Sequence, residues 1–296
     1  MNITQFIKYL NKTKGWNIEG RYYADILEWR DWWRGDYTPF HTIKEMLLNG
    51  SVKSRTMYRL QMPKRICEDW ASLLLNDKTT VTVADKDSAD WLLGTDGSQT
   101  GGILGQLCFW QHANELVELA FRSGTGALVM GAENLQLLSG ELMGSPKAKL
   151  YLDYLPAECI LPITIRHGQV VDVAFASEVT IGGRSCVYLQ IHQLTRRGYQ
   201  ITNEYFTSQN EDSEEADYQP EPLPANMIAS FNTGSAVPWF SLLRPNIVKN
   251  RLGGAGLGMA VFAEALDAVK LCDLAFDNYA RDIRLGGKKV FTAESF

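Results

Sequence analysis

The chain has 296 residues, 45% of them apolar, so it is long enough to bury a large core in one large domain or two ordinary ones. Its formal net charge of -5 at pH 7 argues against a protein that wraps nucleic acid with a broad basic face, but it allows one that DNA slides past. No apolar run of about 18 residues and no signal-peptide pattern occurs, which predicts a protein without a membrane partner, made in a cytoplasm.

Residues 1–126 are predicted to be mainly helical. Helices are expected at 3–11, 22–33, 57–76 and 104–122, with Pro63 at a helix start and a strand at 79–84. Three tryptophans, Trp29, Trp32 and Trp33, could form a stacking platform for bases. Core or interface packing is the preferred interpretation, because no basic stripe interleaves with them.

Residues 127–229 change to short β-rich segments. Turn signals at His167-Gly168, Gly182-Gly183 and Arg197-Gly198 separate these segments. Strands joined by such short turns are antiparallel, so we expect a meander or a curved sheet. The acidic stretch 209–226 is predicted to be a solvated loop.

The C-terminal part is predicted as an irregular connector (230–256), a long helix (257–285) and the start of an incomplete strand (286–296). The helix would be roughly 40 Å long, with an acidic start and a basic end that suit its dipole. Its charged face contains Asp273, Asp277 and Arg281, and its extra leucines predict contacts on more than one side. The overall fold class is therefore α+β, with N-terminal helices, a mostly antiparallel β-rich part and a long C-terminal helix.

No pattern typical of catalysis is found. The four histidines, His41, His112, His167 and His192, lack a second ligand at metal-site spacing. The glycine-rich stretches 124–131 and 253–258 lack the strand-to-helix context of a nucleotide loop, so the second predicts a tight turn or hinge. We therefore expect a structural subunit with no cofactor, no metal and no enzymatic activity.

The cysteines are five in number and widely scattered, without a CxxC pair. This usage is typical of a reducing compartment in which thiols serve as small core residues. The residues are Cys67, Cys108, Cys159, Cys186 and Cys272.

Four stretches together resemble the portal proteins of tailed bacteriophages, in the branch of long-tailed phages and prophages of Gram-positive bacteria. They appear in the family's order and span nearly the whole chain. The stretches are EWRDWWRGDYTPFH (28–41), KRICEDWASLLLNDK (64–78), VPWFSLLRPNIVKN (237–250) and GLGMAVFAEALDAVKLCDLAFDNYARDIRLGGKKVF (256–291).

This resemblance implies a homo-oligomeric ring, usually a dodecamer, located in the virion at the portal vertex of the capsid and assembled in the host cytoplasm. Its implied partners are the large terminase subunit, head-completion or adaptor proteins, the major capsid and scaffolding proteins, and double-stranded DNA that passes non-specifically through the channel. Residues 1–229 would form the wing and 257–285 a stem helix. The family's clip, second stem helix and crown have no counterpart here, which predicts a truncated gene, an expression fragment or one half of a split subunit.

The predicted interface lies on the long helix. Without its stem partner, this helix should expose apolar surface between residues 262 and 279 and favour association. Two alternatives remain open, a metal-dependent phage nuclease or hydrolase and another minor virion or adaptor protein. The residues assigned to the interface are Phe262, Leu266, Val269, Leu274, Phe276 and Tyr279.

Overall fold

The structure is a computed structural model that describes residues 2–46, 49–76, 78–95, 101–138, 141–143, 147–208, 218–224, 227–250 and 253–286. Helices and antiparallel sheets are both present, which confirms the predicted α+β class. The helices are α1 (Ile3–Lys14), α2 (Gly20–Arg34), α3 (Thr38–His41), α4 (Met62–Leu74), α5 (Lys86–Leu93), α6 (Gly102–Gln106), α7 (Phe109–Ser123) and α8 (Leu266–Leu285).

The strands fall into three sheets. A hairpin pairs β1 with β2, a three-stranded sheet has the order β13-β3-β6, and a larger sheet has the order β4-β5-β12-β10-β9-β8-β7 with β11 also on β10. The bounds are β1 (Thr42–Met46), β2 (Val52–Thr56), β3 (Gly126–Glu133), β4 (Gln136–Leu138), β5 (Glu141–Met143), β6 (Lys149–Pro156), β7 (Ile160–Arg166), β8 (Gln169–Ile181), β9 (Arg184–Thr195), β10 (Gly198–Ser208), β11 (Tyr218–Glu221), β12 (Ser230–Asn232) and β13 (Phe240–Leu243).

The first two helices follow the predicted pattern. The side chain of Asn2 caps α1, and Gly15 ends it with a φ of 66°. Trp29 and Trp32 of α2 are 1% exposed, which confirms their predicted place in the core. Trp33 is partly buried, and its ring is covered by the Lys64 ammonium at 4.7 Å and the Arg122 guanidinium at 5.3 Å.

Three predictions for residues 1–126 are wrong. The β1–β2 hairpin lies in a region predicted as helical, and residues 79–84 form no strand. The predicted helix 104–122 is divided into α6 and α7 at Cys108, whose φ of 50° cannot continue a right-handed helix. Pro63 does stand in the first turn of α4, where its missing N–H leaves no helical hydrogen bond unmade.

The β-rich part is antiparallel, as predicted, apart from one parallel bridge between β5 and β12. The turns at His167-Gly168 and Gly182-Gly183 join β7 to β8 and β8 to β9. The third turn is Arg196-Arg197, one residue before its predicted place. The connector 230–256, predicted as irregular, contains β12 and β13. Within the predicted acidic loop, residues 218–221 form β11 instead. Residues 209–217 and 225–226 of that loop and residues 287–296 of the predicted last strand lie outside the described residues.

The long helix begins nine residues later than predicted. A 3₁₀ turn (Ala263–Ala265) precedes α8, and residues 257–262 run in a non-helical conformation. They cannot be helical because their backbone bonds to the rest of the chain: the Val261 N–H donates to the Phe121 carbonyl at 3.0 Å, and the Tyr22 hydroxyl donates to the Gly258 carbonyl at 2.5 Å. An added Cβ on Gly258 would lie 2.1 Å from the carbonyl oxygen of Gly124, so this close approach requires glycine.

One buried cluster joins α1, α2, α7, the sheets and the segment before α8. The predicted divisions of the chain therefore share a core instead of having one each. Among the cysteines, Cys67 and Cys186 are buried, as expected of core thiols, and Cys159 is partly buried. Cys108 and Cys272 are exposed, against that expectation.

Candidate functional site

The inward side of α8 is defined by a single stripe of buried residues. Leu266, Val269, Asp273 and Asp277 are spaced by three, four and four positions, so they lie on one face of the helix. The first two enter the apolar core, and the two aspartates are 2% and 1% exposed. The second half of the helix therefore turns an acidic face toward the protein.

The Asp273 carboxyl is held by one residue of α3 and one residue of the loop between β2 and α4. Its Oδ1 accepts the backbone N–H of Leu60 at 2.8 Å, and its Oδ2 lies 3.1 Å from Nε2 of His41. The Nδ1 of His41 lies 3.1 Å from the carbonyl oxygen of Tyr37. Both ring nitrogens of His41 therefore face oxygen atoms, one of a backbone carbonyl and one of a carboxyl group. The pair of His41 and Asp273 fixes the end of α3 against α8.

Asp277 is held by a two-point ion pair. Two guanidinium nitrogens of Arg55 lie 2.7 Å from its two oxygens, and the Tyr58 N–H donates to Oδ1 at 2.9 Å. The hydrogen bond from Arg55 lowers the pKa of Asp277, and the carboxylates around Arg55 raise the pKa of the guanidinium. Both groups therefore remain charged at neutral pH.

The two aspartates together accept hydrogen bonds from the backbone N–H groups of the segment between β2 and α4. Tyr58 and Leu60 are two residues apart, and in extended chain their N–H groups would be separated by roughly 6.6 Å. Asp277 and Asp273 are four residues apart, which is about 6 Å along a helix. The carboxylates therefore take the place of a neighbouring strand for the segment between β2 and α4.

The outward side of α8 carries several large apolar side chains among polar ones. Leu271, Leu274, Tyr279 and Ile283 are 67%, 41%, 64% and 62% exposed, and Cys272 is also exposed. A row of large apolar side chains over the length of a helix is typical of a surface that another protein covers.

The six residues predicted as one interface are divided by the structure. Phe262, Leu266 and Val269 are buried in the protein's own core, so the prediction of their exposure is wrong. Phe276 is partly buried, whereas Leu274 and Tyr279 lie on the outward face. The division arises because the paired aspartates, instead of the apolar residues, face inward beyond Val269. Leu271 and Ile283 belong to the outward face and were not predicted as interface residues.

A cavity of about 260 Å³ opens beside the Asp277 pair, between the β1–β2 hairpin and the last turns of α8. Glu45 on its wall accepts from Arg55 Nε at 2.5 Å and lies 3.3 Å from Arg281. The hydrogen bond from Arg55 lowers the pKa of Glu45. The hairpin and the helix are thus connected by a chain of four alternating charges, Asp277, Arg55, Glu45 and Arg281.

The histidines other than His41 lie apart from this region and from one another. His112 is exposed beside Glu115, His167 occupies a hairpin turn, and His192 is buried between the rings of Phe175 and Phe240. Within the described ranges, no group of three or more histidine, cysteine, aspartate or glutamate side chains is arranged to hold a metal ion. None of the helices in that part of the chain has the length and apolarity needed to cross a membrane.

The chain was compared with known proteins. No protein-family model matches it, and no curated protein sequence matches it.

Proposed function

We propose that this chain is a structural subunit of a phage portal ring, which forms the channel for DNA packaging and ejection at one capsid vertex. The observation that carries the proposal is the outward face of α8, where Leu271, Leu274, Tyr279 and Ile283 are exposed while Asp273 and Asp277 are buried on the opposite face. A helix held in this orientation presents its apolar side to a neighbouring subunit.

The positions of the resembling stretches support the proposal. The stretch 28–41 ends at His41, and the stretch 256–291 contains Asp273, its partner at 3.1 Å. Two stretches that are far apart in sequence therefore meet where His41 contacts Asp273 on α8. In the proposed subunit, this contact would set the angle between the wing and the stem helix.

A closed ring needs two different complementary patches on each subunit, because its interfaces are heterologous. The outward face of α8 supplies one apolar patch. A second apolar stripe lies on α4, where Trp70, Leu73 and Leu74 are 45%, 70% and 48% exposed. These two surfaces meet the minimum requirement for joining each copy to two neighbours.

The charge of the chain suits a channel that DNA must slide through. An acidic subunit binds phosphates weakly, so it would not hold DNA in place during packaging. In this function the partners are further copies of the chain, the large terminase subunit, head-completion or adaptor proteins, and capsid and scaffolding proteins. The ring would reside in the virion.

Light scattering after size-exclusion chromatography, combined with negative-stain microscopy, tests the proposal on the purified chain. Rings of uniform size with a central hole are expected as concentration rises. Replacing Leu271 and Leu274 together with serine should shift the population to monomers. A matched control replaces Leu194 and Val237, which are 40% and 69% exposed on other elements, and should still form rings.

Two outcomes would count against the proposal. Wild-type protein that stays monomeric at high concentration would contradict a ring subunit. A metal-dependent nuclease or hydrolase activity that a single carboxylate or histidine substitution abolishes would favour the enzymatic alternative.

A further inference from the structure

The cavity between the β1–β2 hairpin and α8 has an unusual lining. Four of its seven lining residues are basic, Lys53 and Arg55 from β2 and Arg281 and Arg284 from α8. The remaining three are Glu45, Thr56 and Tyr58. Cationic side chains from two different elements therefore surround one concave space of about 260 Å³.

The carboxylates at this place do not neutralise the basic residues. Arg55 is occupied by Asp277 and Glu45, and Arg281 shares Glu45. Lys53 and Arg284 have no ion-pair partner within the part of the chain that the structure describes. Four basic groups against two carboxylates leave a local net charge of +2 in a protein whose overall formal charge is -5.

We propose that this cavity binds a small polyphosphate anion, either inorganic or as the phosphate chain of a nucleotide. Guanidinium and ammonium groups are the preferred partners of phosphate oxygens, and the hydroxyls of Thr56 and Tyr58 can donate further hydrogen bonds. A chain of two or three phosphates offers more oxygen atoms to the four basic side chains than a single phosphate does. The space is too small to admit a nucleic-acid duplex.

Arg55, on one wall of the site, is held in place before any ligand arrives. The two-point bond to Asp277 holds Arg55, and Arg55 in turn holds Glu45. Preorganised donors lose little conformational entropy on binding, so the charges contribute more of their attraction to affinity. A bound anion would bridge the hairpin to α8 and should raise the thermal stability of the chain.

Isothermal titration calorimetry of the full chain with sodium triphosphate tests the proposal. One site per chain is expected, with an affinity that falls as salt is added. The variant Lys53→Gln/Arg284→Gln should bind at least about tenfold more weakly. It should keep the wild-type circular dichroism spectrum, because neither side chain has an ion-pair partner within the described residues.

Two further variants make the result specific. Lys12→Gln/Arg21→Gln removes the same charge from exposed positions on α1 and α2 and should bind like wild type. Lys53→Arg/Arg284→Lys keeps the charge and should retain most of the affinity. Titration with ATP distinguishes the sources of the phosphate chain, since tighter binding of ATP than of triphosphate indicates a nucleotide and weaker binding an inorganic polyphosphate.

The proposal is overturned if triphosphate binding is unchanged in Lys53→Gln/Arg284→Gln, or if the control variant loses as much affinity as the cavity variant. Tighter binding of a short DNA duplex than of triphosphate would also overturn it, because a duplex cannot enter the cavity. None of these outcomes depends on ring formation, so the proposal can fail while the proposed function stands.

Discussion

Asp277 and Arg55 form a two-point ion pair that joins the C-terminal helix to the second strand of the N-terminal hairpin. Both carboxylate oxygens lie 2.7 Å from guanidinium nitrogens, and the side chains are 1% and 21% exposed. The residues are 222 positions apart in the sequence. Because a buried carboxylate needs such a partner, the pair determines which side of α8 faces the protein.

Replacing Asp277 with asparagine should destabilise the chain substantially. The amide can still accept the Tyr58 N–H, but it leaves the Arg55 guanidinium without its buried counter-charge. Removing one partner of a buried pair costs about 3–5 kcal/mol, and we expect the lower end because Arg55 keeps some contact with solvent. Urea denaturation at neutral pH measures the loss.

Asp267 provides the control on the same helix. Its side chain is 96% exposed and is paired only with Lys270, so Asp267→Asn should leave the urea midpoint unchanged. If the two substitutions had similar effects, the decrease would reflect general helix charge and not the ion pair with Arg55.

The stabilisation that Asp277 contributes should be lost as the pH falls. Its pKa in the folded chain is lower than the ordinary value of 3.8, because Arg55 hydrogen-bonds to the ionised form. The contribution is therefore complete above pH 3.8 and is lost as the pH falls through the lower folded pKa. Unfolding free energies of wild type and Asp277→Asn should converge as the pH falls below 3.8. A difference that stays constant with falling pH would contradict this account.

The face of α8 that is buried could not be predicted from the helical periodicity of the sequence. Periodicity assigns apolar residues to the inward side, and by that rule Asp273 and Asp277 belong outside. Their burial depends on partners from other parts of the chain, His41 and Arg55, and no local pattern indicates those contacts. The one available signal was the set of three leucines, Leu266, Leu271 and Leu274, flanking the charged side, of which Leu266 is buried. They led to the expectation of several contact faces but did not show which face is buried.

The fold was predictable where local rules determine it. The antiparallel order of β7 to β10 follows from short turns, and the ends of α1 and α2 follow from Asn2, Gly15 and Gly35. The start of α8 was not predictable, because residues 257–262 have helical composition. Tertiary hydrogen bonds to Phe121, Tyr22 and Thr125 override that propensity.

His192 should make the chain sensitive to mild acid. It is 0% exposed, neither ring nitrogen has a hydrogen-bond partner within the described residues, and burial lowers its pKa from 6.5 to about 3. The unfolded chain binds a proton below pH 6.5 and the folded chain does not, so stability should fall as the pH decreases from 6.5 toward 3. The loss reaches about 2 kcal/mol near pH 5.

The variant His192→Phe should remove this part of the pH dependence. Phenylalanine keeps a planar ring between Phe175 and Phe240 and cannot be protonated. His167→Asn, in an exposed turn where asparagine tolerates the positive φ of 51°, should keep the wild-type slope. Equal slopes for wild type and His192→Phe between those pH values would show that the folded chain protonates His192 as readily as the unfolded chain, and would contradict this account.

Gly131 should not tolerate a side chain. An added Cβ would lie 2.1 Å from the ring of Tyr151, its cross-strand partner on β6. Overpacking of this kind costs about 1–3 kcal/mol, so Gly131→Ala should lower the free energy of unfolding by that amount. Gly20→Ala, with no atom within 4 Å of the added Cβ, should be neutral or slightly stabilising. Thermal melts of the two variants distinguish steric overlap from a general effect of replacing glycine.

The contact between His41 and Asp273 should behave as a coupled unit that also controls assembly. His41→Phe leaves a buried carboxyl with the Leu60 N–H as its remaining partner, and Asp273→Asn leaves the imidazole without its carboxylate. Each single change should therefore destabilise the chain, whereas the double variant should lose less than the sum, with a coupling of about 0.5–3 kcal/mol. Strict additivity in urea denaturation would contradict this pairing.

Because the same contact orients α8, the single variants should also form fewer rings at temperatures where they remain folded. Light scattering at matched folded fractions measures that loss.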